Sequence, residues 1–269
     1  MMSAEATAPS KPSRRLSPLI LAIIATVTSV GLLVLAYFLG VASGLISPLG
    51  SDPERAPPTA AEEAHAARYA TAALNDTDEV WAGVFITSFA RAYTPPEMEF
   101  FDDRVTTPCG VQSGPHYCAE DRVIYLDSDF LAELIDRGRQ HGELAASYVI
   151  AKNVAHHVQM ETGIGVQARA VIANAENGQA DALRLRLSLH RDCLAGIWSR
   201  RARTRIGRLD AEDVDRIMEL VRTMEETFVA DAPVHRAVRT RRSQHVDWFM
   251  RGYQSASLTM CDAVMRGTL

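Results

Sequence analysis

The residues able to do chemistry lie in two short stretches. The first is Ala151-Lys152-Asn153-Val154-Ala155-His156-His157-Val158-Gln159, inside an apolar run from Leu144 to Val158. The second is Ser188-Leu189-His190-Arg191-Asp192-Cys193. Both have helical rather than alternating periodicity. His156, His157, His190 and Asp192 are of the types that ligate a transition metal or move protons. On a helix Lys152 and His156 share one face, whereas His157 points about 100° away from His156. A Lys ammonium carries three donors and no acceptor, so Lys152 ligates a metal only after a large pKa depression. Asn153 is no base toward water, and Ser188 is a poor zinc ligand compared with a carboxylate.

These side chains need elements to position them. The first stretch reads as a helix over 143–162, closed by Gly163 and Gly165; the second lies in a long helix over 180–205. Before them, Val80, Trp81, Val84, Phe85 and Phe89 repeat at helical spacing within 79–93, and Thr94-Pro95-Pro96 ends that helix. Residues 99–105 read as a strand, 106–117 as a loop rich in Gly and Pro, and Val123-Ile124-Tyr125-Leu126-Asp127 as a short strand. Asp127 or Ser128 then caps a helix from Phe130. After the second stretch, Asp210 caps a helix running to about Val229, and His245–Tyr253 carries Trp248, Phe249 and Gly252.

Of 269 residues, 47% are apolar, enough for one sizeable core plus an appendage. The net charge of −5 comes without a clustered basic face, which excludes a nucleic-acid footprint. Lys11 and Lys152 are the only lysines. Residues 1–18 are polar and contain Lys11, Arg14 and Arg15, and Leu19–Leu39 follows without a charged residue. A helix over 19–40 is long enough for a bilayer core of roughly 30 Å. The basic residues ahead of it put the N-terminus in the cytoplasm and the remainder outside, a single-pass protein of the cell membrane with the lipid bilayer as partner. A cleaved signal peptide, with small residues at Ala42-Ser43-Gly44, is the competing reading. Against it, the apolar run exceeds the roughly 7–15 residues of a signal core. The expected division is a cytoplasmic tail 1–18, a transmembrane helix 19–40, a linker 41–75 with four prolines, and an extracytoplasmic domain 76–269. Four cysteines outside the cytoplasm suggest two disulfides. Three pairings are possible; the favoured one closes Cys109–Cys118 over a local loop and ties Cys193 to Cys261.

Several runs together resemble the neutral zinc metallopeptidase family of bacteria. The stretch around Lys152 is similar to the family's His-Glu-x-x-His-His-Val-Gln, with Lys152 at the first ligand and Asn153 at the general base. The stretch from Ser188 resembles Glu-Leu-Gln-Ala-Asp-Cys-x-Ala-Gly-x-Trp, with Ser188 at the third ligand, while Asp192 keeps the acid that orients the first. Gly114-Pro115-His116-Tyr117-Cys118, Ile124-Tyr125-Leu126-Asp127, Trp248-Phe249 with Gly252, and Cys261 match further runs in order.

The resemblance implies an α+β, mainly helical, zincin-type domain with a small sheet beside the active-site helix. It also implies a degenerate site over Lys152, Asn153, His156, Ser188 and Asp192, hence a pseudopeptidase that needs no cofactor. Its old cleft, along Ile124, Tyr125 and Leu126 with His157 and His190, would hold a peptide, a protein or cell-envelope material on an exposed strand edge. The alternative is a zinc metallopeptidase with atypical ligands, rebuilt from His156, His190 and Asp192, with His116 nearby. An Asp left alone in the cavity would be a costly unpaired charge. A Lys152–Asp192 ion pair is therefore expected where the metal sat, completed by Asn153, Ser188 and His156. The competing arrangement turns Lys152 out to solvent.

Overall fold

The computed structural model describes residues 17–42, 57–202, 209–228 and 242–266. The chain divides into two units, Met1–Ala56 and Pro57–Leu269. The first unit contains one described helix, α1 (Pro18–Ala42). The expected span 19–40 lies within it, and its side chains are described over 26–39. Among the described residues no helix is long and apolar enough to cross a membrane. The tail 1–16 and linker residues 43–56 lie outside the described residues.

The second unit opens with α2 (Ala60–Phe89), a single helix of 30 residues. Thr59 and Glu62 form a reciprocal capping box at its start. Its first half buries Ala66, Ala70, Ala73 and Leu74 in the same core as Trp81 and Phe85. Residues 60–75 therefore belong to the domain, which corrects the expected linker boundary at 75. The composition of 60–74 reads as helical, but small alanines on one face carry little hydropathy contrast, so its place in the core was not legible.

The strands follow: β1 (Glu97–Phe101), β2 (Val105–Thr107), β3 (Gly110–Gln112), β4 (His116–Cys118) and β5 (Val123–Asp127). The residues expected to form one loop over 106–117 contain the β2–β3 hairpin instead. In the larger sheet the order is β1-β5-β4, β5 lying parallel to β1 and antiparallel to β4. Every residue of β5 is buried. Ile124, Tyr125 and Leu126 thus have neighbours on both sides and offer no open edge, contrary to the cleft expected there. The strand that packs against the central helix is β4.

Asp127 ends β5 and caps α3 (Ser128–Gly138), its carboxylate accepting from Phe130 N at 2.9 Å. The central helix α4 (Gly142–Glu161) is apolar on nearly all sides, and packs on α2, α3 and the later α6 (Asn177–Arg201). Between them lies α5 (Ile164–Ile172), entered through Gly163 at φ 81°. The domain is completed by α7 (Ala211–Phe228), α8 (Arg242–Ser255) and α9 (Leu258–Arg266).

Helices α6 and α8 form the most extensive contact of the domain. Two glycines make it possible. A Cβ at Gly196 would stand 2.1 Å from Phe249 O, and one at Gly252 would stand 1.9 Å from Cys193 O. Both clash with backbone, so only glycine lets the axes approach this closely. Cys109–Cys118 ties the hairpin to β4, and Cys193–Cys261 ties α6 to α9, the favoured pairing. The fold is mainly helical α+β with small sheets, as expected.

Candidate functional site

Helix α4 presents Tyr148, Lys152 and His156 at intervals of four, so they stack on one face toward α6. From α6, Asp192 enters this space fully buried. Lys152 Nζ lies 3.0 Å from Asp192 Oδ1, and 3.1 Å from the hydroxyl of Tyr148. That hydroxyl donates to the same carboxylate oxygen at 2.7 Å. The other oxygen, Oδ2, lies 2.5 Å from His245 Nδ1 on α8. Burial alone would raise the Asp192 pKa; the charges of Lys152 and His245 and the hydrogen bonds from His245 and Tyr148 hold it well below the usual range. The Lys152 side chain keeps 25% of its surface exposed, so the pair is sealed on the acid side and open on the lysine side.

The ion pair expected between Lys152 and Asp192 is present, and Lys152 does not turn away into solvent. Its expected companions differ. The amide of Asn153 donates to Val149 O within its own helix at 3.0 Å. Ser188 is buried, and Tyr148 and His245 supply the hydrogen bonds assigned to Asn153, Ser188 and His156. Tyr148 was legible in principle, one helical turn before Lys152. His245 comes from 53 residues beyond Asp192, and no spacing rule reaches it.

His156 is half-buried, its ring edge-on to Tyr117 at 5.2 Å. Burial first, then the charges of Arg191, Arg169 and His157, push its pKa well below the ordinary value, so it is neutral at pH 7. His157 points elsewhere, as the helix angle requires. Its Nδ1 accepts from the Tyr117 hydroxyl at 2.9 Å and its Nε2 donates to Thr94 O at 2.7 Å. It fastens β4 and the connection ahead of β1 to α4, a packing role rather than the cleft role expected of it. His116 stacks on Tyr125 with ring centroids 5.1 Å apart.

His190 also departs from expectation. It sits about 200° around α6 from Asp192, on the opposite face. There it is pinned between Gln159, whose amide donates to Nδ1 at 3.0 Å, and Asp262 of α9, whose Oδ1 accepts from Nε2 at 3.2 Å. The same Gln159 amide donates to Leu187 O at 2.9 Å. His156, His190 and Asp192 therefore do not converge, and the rebuilt metal set is corrected on that ground. Among the described residues no group of three His, Cys, Asp or Glu side chains is placed to hold a metal ion.

Helices α4 and α6 with strand β4 beside them belong to a mainly helical domain with small sheets, an architecture consistent with a metallopeptidase-like family. The family profile described as "Putative neutral zinc metallopeptidase" matches residues 8–264, and the chain belongs to that family. It is 28% identical over 208 residues to the uncharacterized protein YpfJ of Escherichia coli K12, covering 74% of this chain and 72% of that one. It is 30% identical over 217 residues to the uncharacterized protein Mb2605 of Mycobacterium bovis, covering 70% of this chain and 67% of that one. The uncharacterized protein Rv2575 of Mycobacterium tuberculosis is matched to the same extent. No solved structure matches the chain.

The zinc that the family name implies does not fit the residues here. Lys152, at the first ligand position, offers only donors and spends them on Asp192 and Tyr148. Asp192, which would orient a ligand, is fully engaged. Asn153 is tied to its own helix, and Ser188 supplies no carboxylate.

Proposed function

We propose that this chain is a catalytically silent member of its family, anchored in the cell membrane by residues 19–40, with the Pro57–Leu269 unit outside the cytoplasm as a binding or regulatory module. One observation carries the reading. The Lys152–Asp192 pair, closed by Tyr148 and His245, fills the positions where a ligand and its orienting acid would stand. A working zinc hydrolase needs protein ligands, an open position for water and a base. In this chain the first ligand position holds an ammonium and the base position an amide.

The anchor rests on the uncharged Leu19–Leu39 run behind Arg14 and Arg15, and on the family match, which begins at residue 8, ahead of the run. The outside location is supported by the two disulfides, which persist in oxidising compartments. A peptide, a protein or cell-envelope material remains the class of partner, with the edge strand β4 rather than the central β5 free to pair with it.

The test is a joint measurement on the purified full chain: zinc content by mass spectrometry, and cleavage of an unstructured protein substrate with zinc added. The expected outcome is substoichiometric zinc and no cleavage. Cleavage that a chelator abolishes, and that His156→Ala removes, would overturn the reading. A reporter that works only in the cytoplasm, fused after Leu269, should be inactive if the topology is right.

A further inference from the structure

The α4–α6 pair has a second side. Opposite the Lys152–Asp192 site, a cleft of about 590 Å³ opens between the end of α2, the end of α4, α6 and the α8–α9 turn. Its floor is a stripe of α6 at helical spacing: His190, Leu194, Ile197 and Arg201. From His190 to Arg201 the helix rises roughly 16 Å. The volume lies in the range of roughly 300–1,000 Å³ typical of ligand pockets.

The two ends carry opposite charges. At one end stands Asp262, with its side chain 37% exposed. Its Oδ1 accepts from His190, and among the described residues Oδ2 has no hydrogen-bond partner. His190 is the positioning residue: it is buried, and Gln159 fixes its proton on Nε2, directed at Asp262. At the other end is the exposed guanidinium of Arg201, without an acidic partner among the described residues. Between them the floor is apolar, and Phe89, 40% exposed, stands at the wall. The turn that sets Asp262 contains Ala256 at φ 49°, a left-handed conformation unfavourable for a residue with a Cβ. Such strain persists only where the surroundings hold it.

We propose that this cleft binds a short peptide with free termini, about five residues in extended form, its α-amino group against Asp262 and its α-carboxylate against Arg201. A ligand with one charged end would satisfy one terminus of the cleft only. The proposal concerns a different site from the former metal centre and stands whether or not that centre binds anything.

The test is calorimetric titration of the full chain in lipid nanodiscs with the pentapeptide Ala-Leu-Ser-Leu-Ala, in free, N-acetylated and C-amidated forms. The free peptide should bind saturably at up to roughly millimolar concentration. Acetylation and Asp262→Asn should each weaken it about tenfold, the worth of one hydrogen bond to a charged group. Combined, they should weaken it no further. Amidation and Arg201→Gln should behave as the other such pair. The modified peptides test the proposal on the unaltered chain, so it does not depend on either variant folding. No saturable binding, or equal affinity for all three peptides, would overturn it. So would laurate binding more tightly than the free peptide and depending on Arg201 alone.

Discussion

Two aspartates, Asp192 and Asp262, sit on opposite faces of the α4–α6 pair, each paired to a histidine and each next to one half of the same disulfide. Asp192 is fully buried and takes contacts from Lys152, Tyr148 and His245. Asp262 is one-third exposed and takes one contact, from His190. A buried carboxylate must be compensated from within the protein, because water cannot do it. A partly exposed one can leave an oxygen unused at little cost. The first arrangement closes a site; the second keeps one available.

The largest effect separates the two directly. Asp192→Leu strands Lys152 and should cost about 3–5 kcal/mol in denaturant unfolding of the Pro57–Leu269 unit. Asp262→Asn should change stability by no more than about 0.5 kcal/mol. Lys152→Met combined with Asp192→Leu should cost well under the sum of the single changes. Additive losses would break the comparison, since they would mean that the two groups do not interact.

Next comes the disulfide between the neighbours of the two acids. Cys193–Cys261 spans 68 residues and Cys109–Cys118 spans 9. On loop-closure entropy, replacing the first pair with alanine should cost about 4 kcal/mol and the second about 2.5 kcal/mol. Proteolysis should then free α9, and with it Asp262, while the Asp192 site stays protected. If the α6–α8 contact is cut as readily as α9, the two sites are not held independently.

Smaller again is Tyr148→Phe, which removes one hydrogen bond to the charged Asp192 and should cost about 2 kcal/mol by thermal unfolding. A neutral result would assign Asp192's compensation to Lys152 and His245 alone.

The smallest effect is in the pH dependence. The pKa of His156 is depressed in the fold, so below about 6.5 the unfolded chain takes up a proton that the folded chain does not. Wild type should therefore lose stability relative to His156→Gln as pH falls from 7.5 to 5. Asp192 is also depressed, but for an acid the paired form is at full strength above about 3.9 and is lost only below it. A constant difference between wild type and His156→Gln from pH 7.5 to 5 would show that His156 is not the group that titrates.

Much of this was present in the chain as local pattern. The α4 periodicity put Lys152 and His156 on one face, and the 100° step sent His157 elsewhere. Lys152, Asn153 and Ser188 already carried the wrong atoms for a zinc site. The cap at Asp127 and the glycine stop at Gly163 were readable because they are contacts within a few residues. The strand at 123–127 was readable as a strand, but its place in a sheet is a matter of pairing, and pairing made it central and buried.

Sequence by itself determined which residues share a helix face and which charge the former site would contain, because both follow from residue type and a fixed helical pitch. Only the tertiary structure decided who compensates Asp192. His245 is brought in by α8, and α8 approaches α6 that closely because Gly196 and Gly252 leave room for backbone against backbone. It likewise turned His190 away from His156 and toward Asp262, since α6 is packed on both faces and each face meets different helices. Those contacts join residues 53 and 72 positions apart. At such separations the partner is set by how the helices pack, which no local spacing encodes.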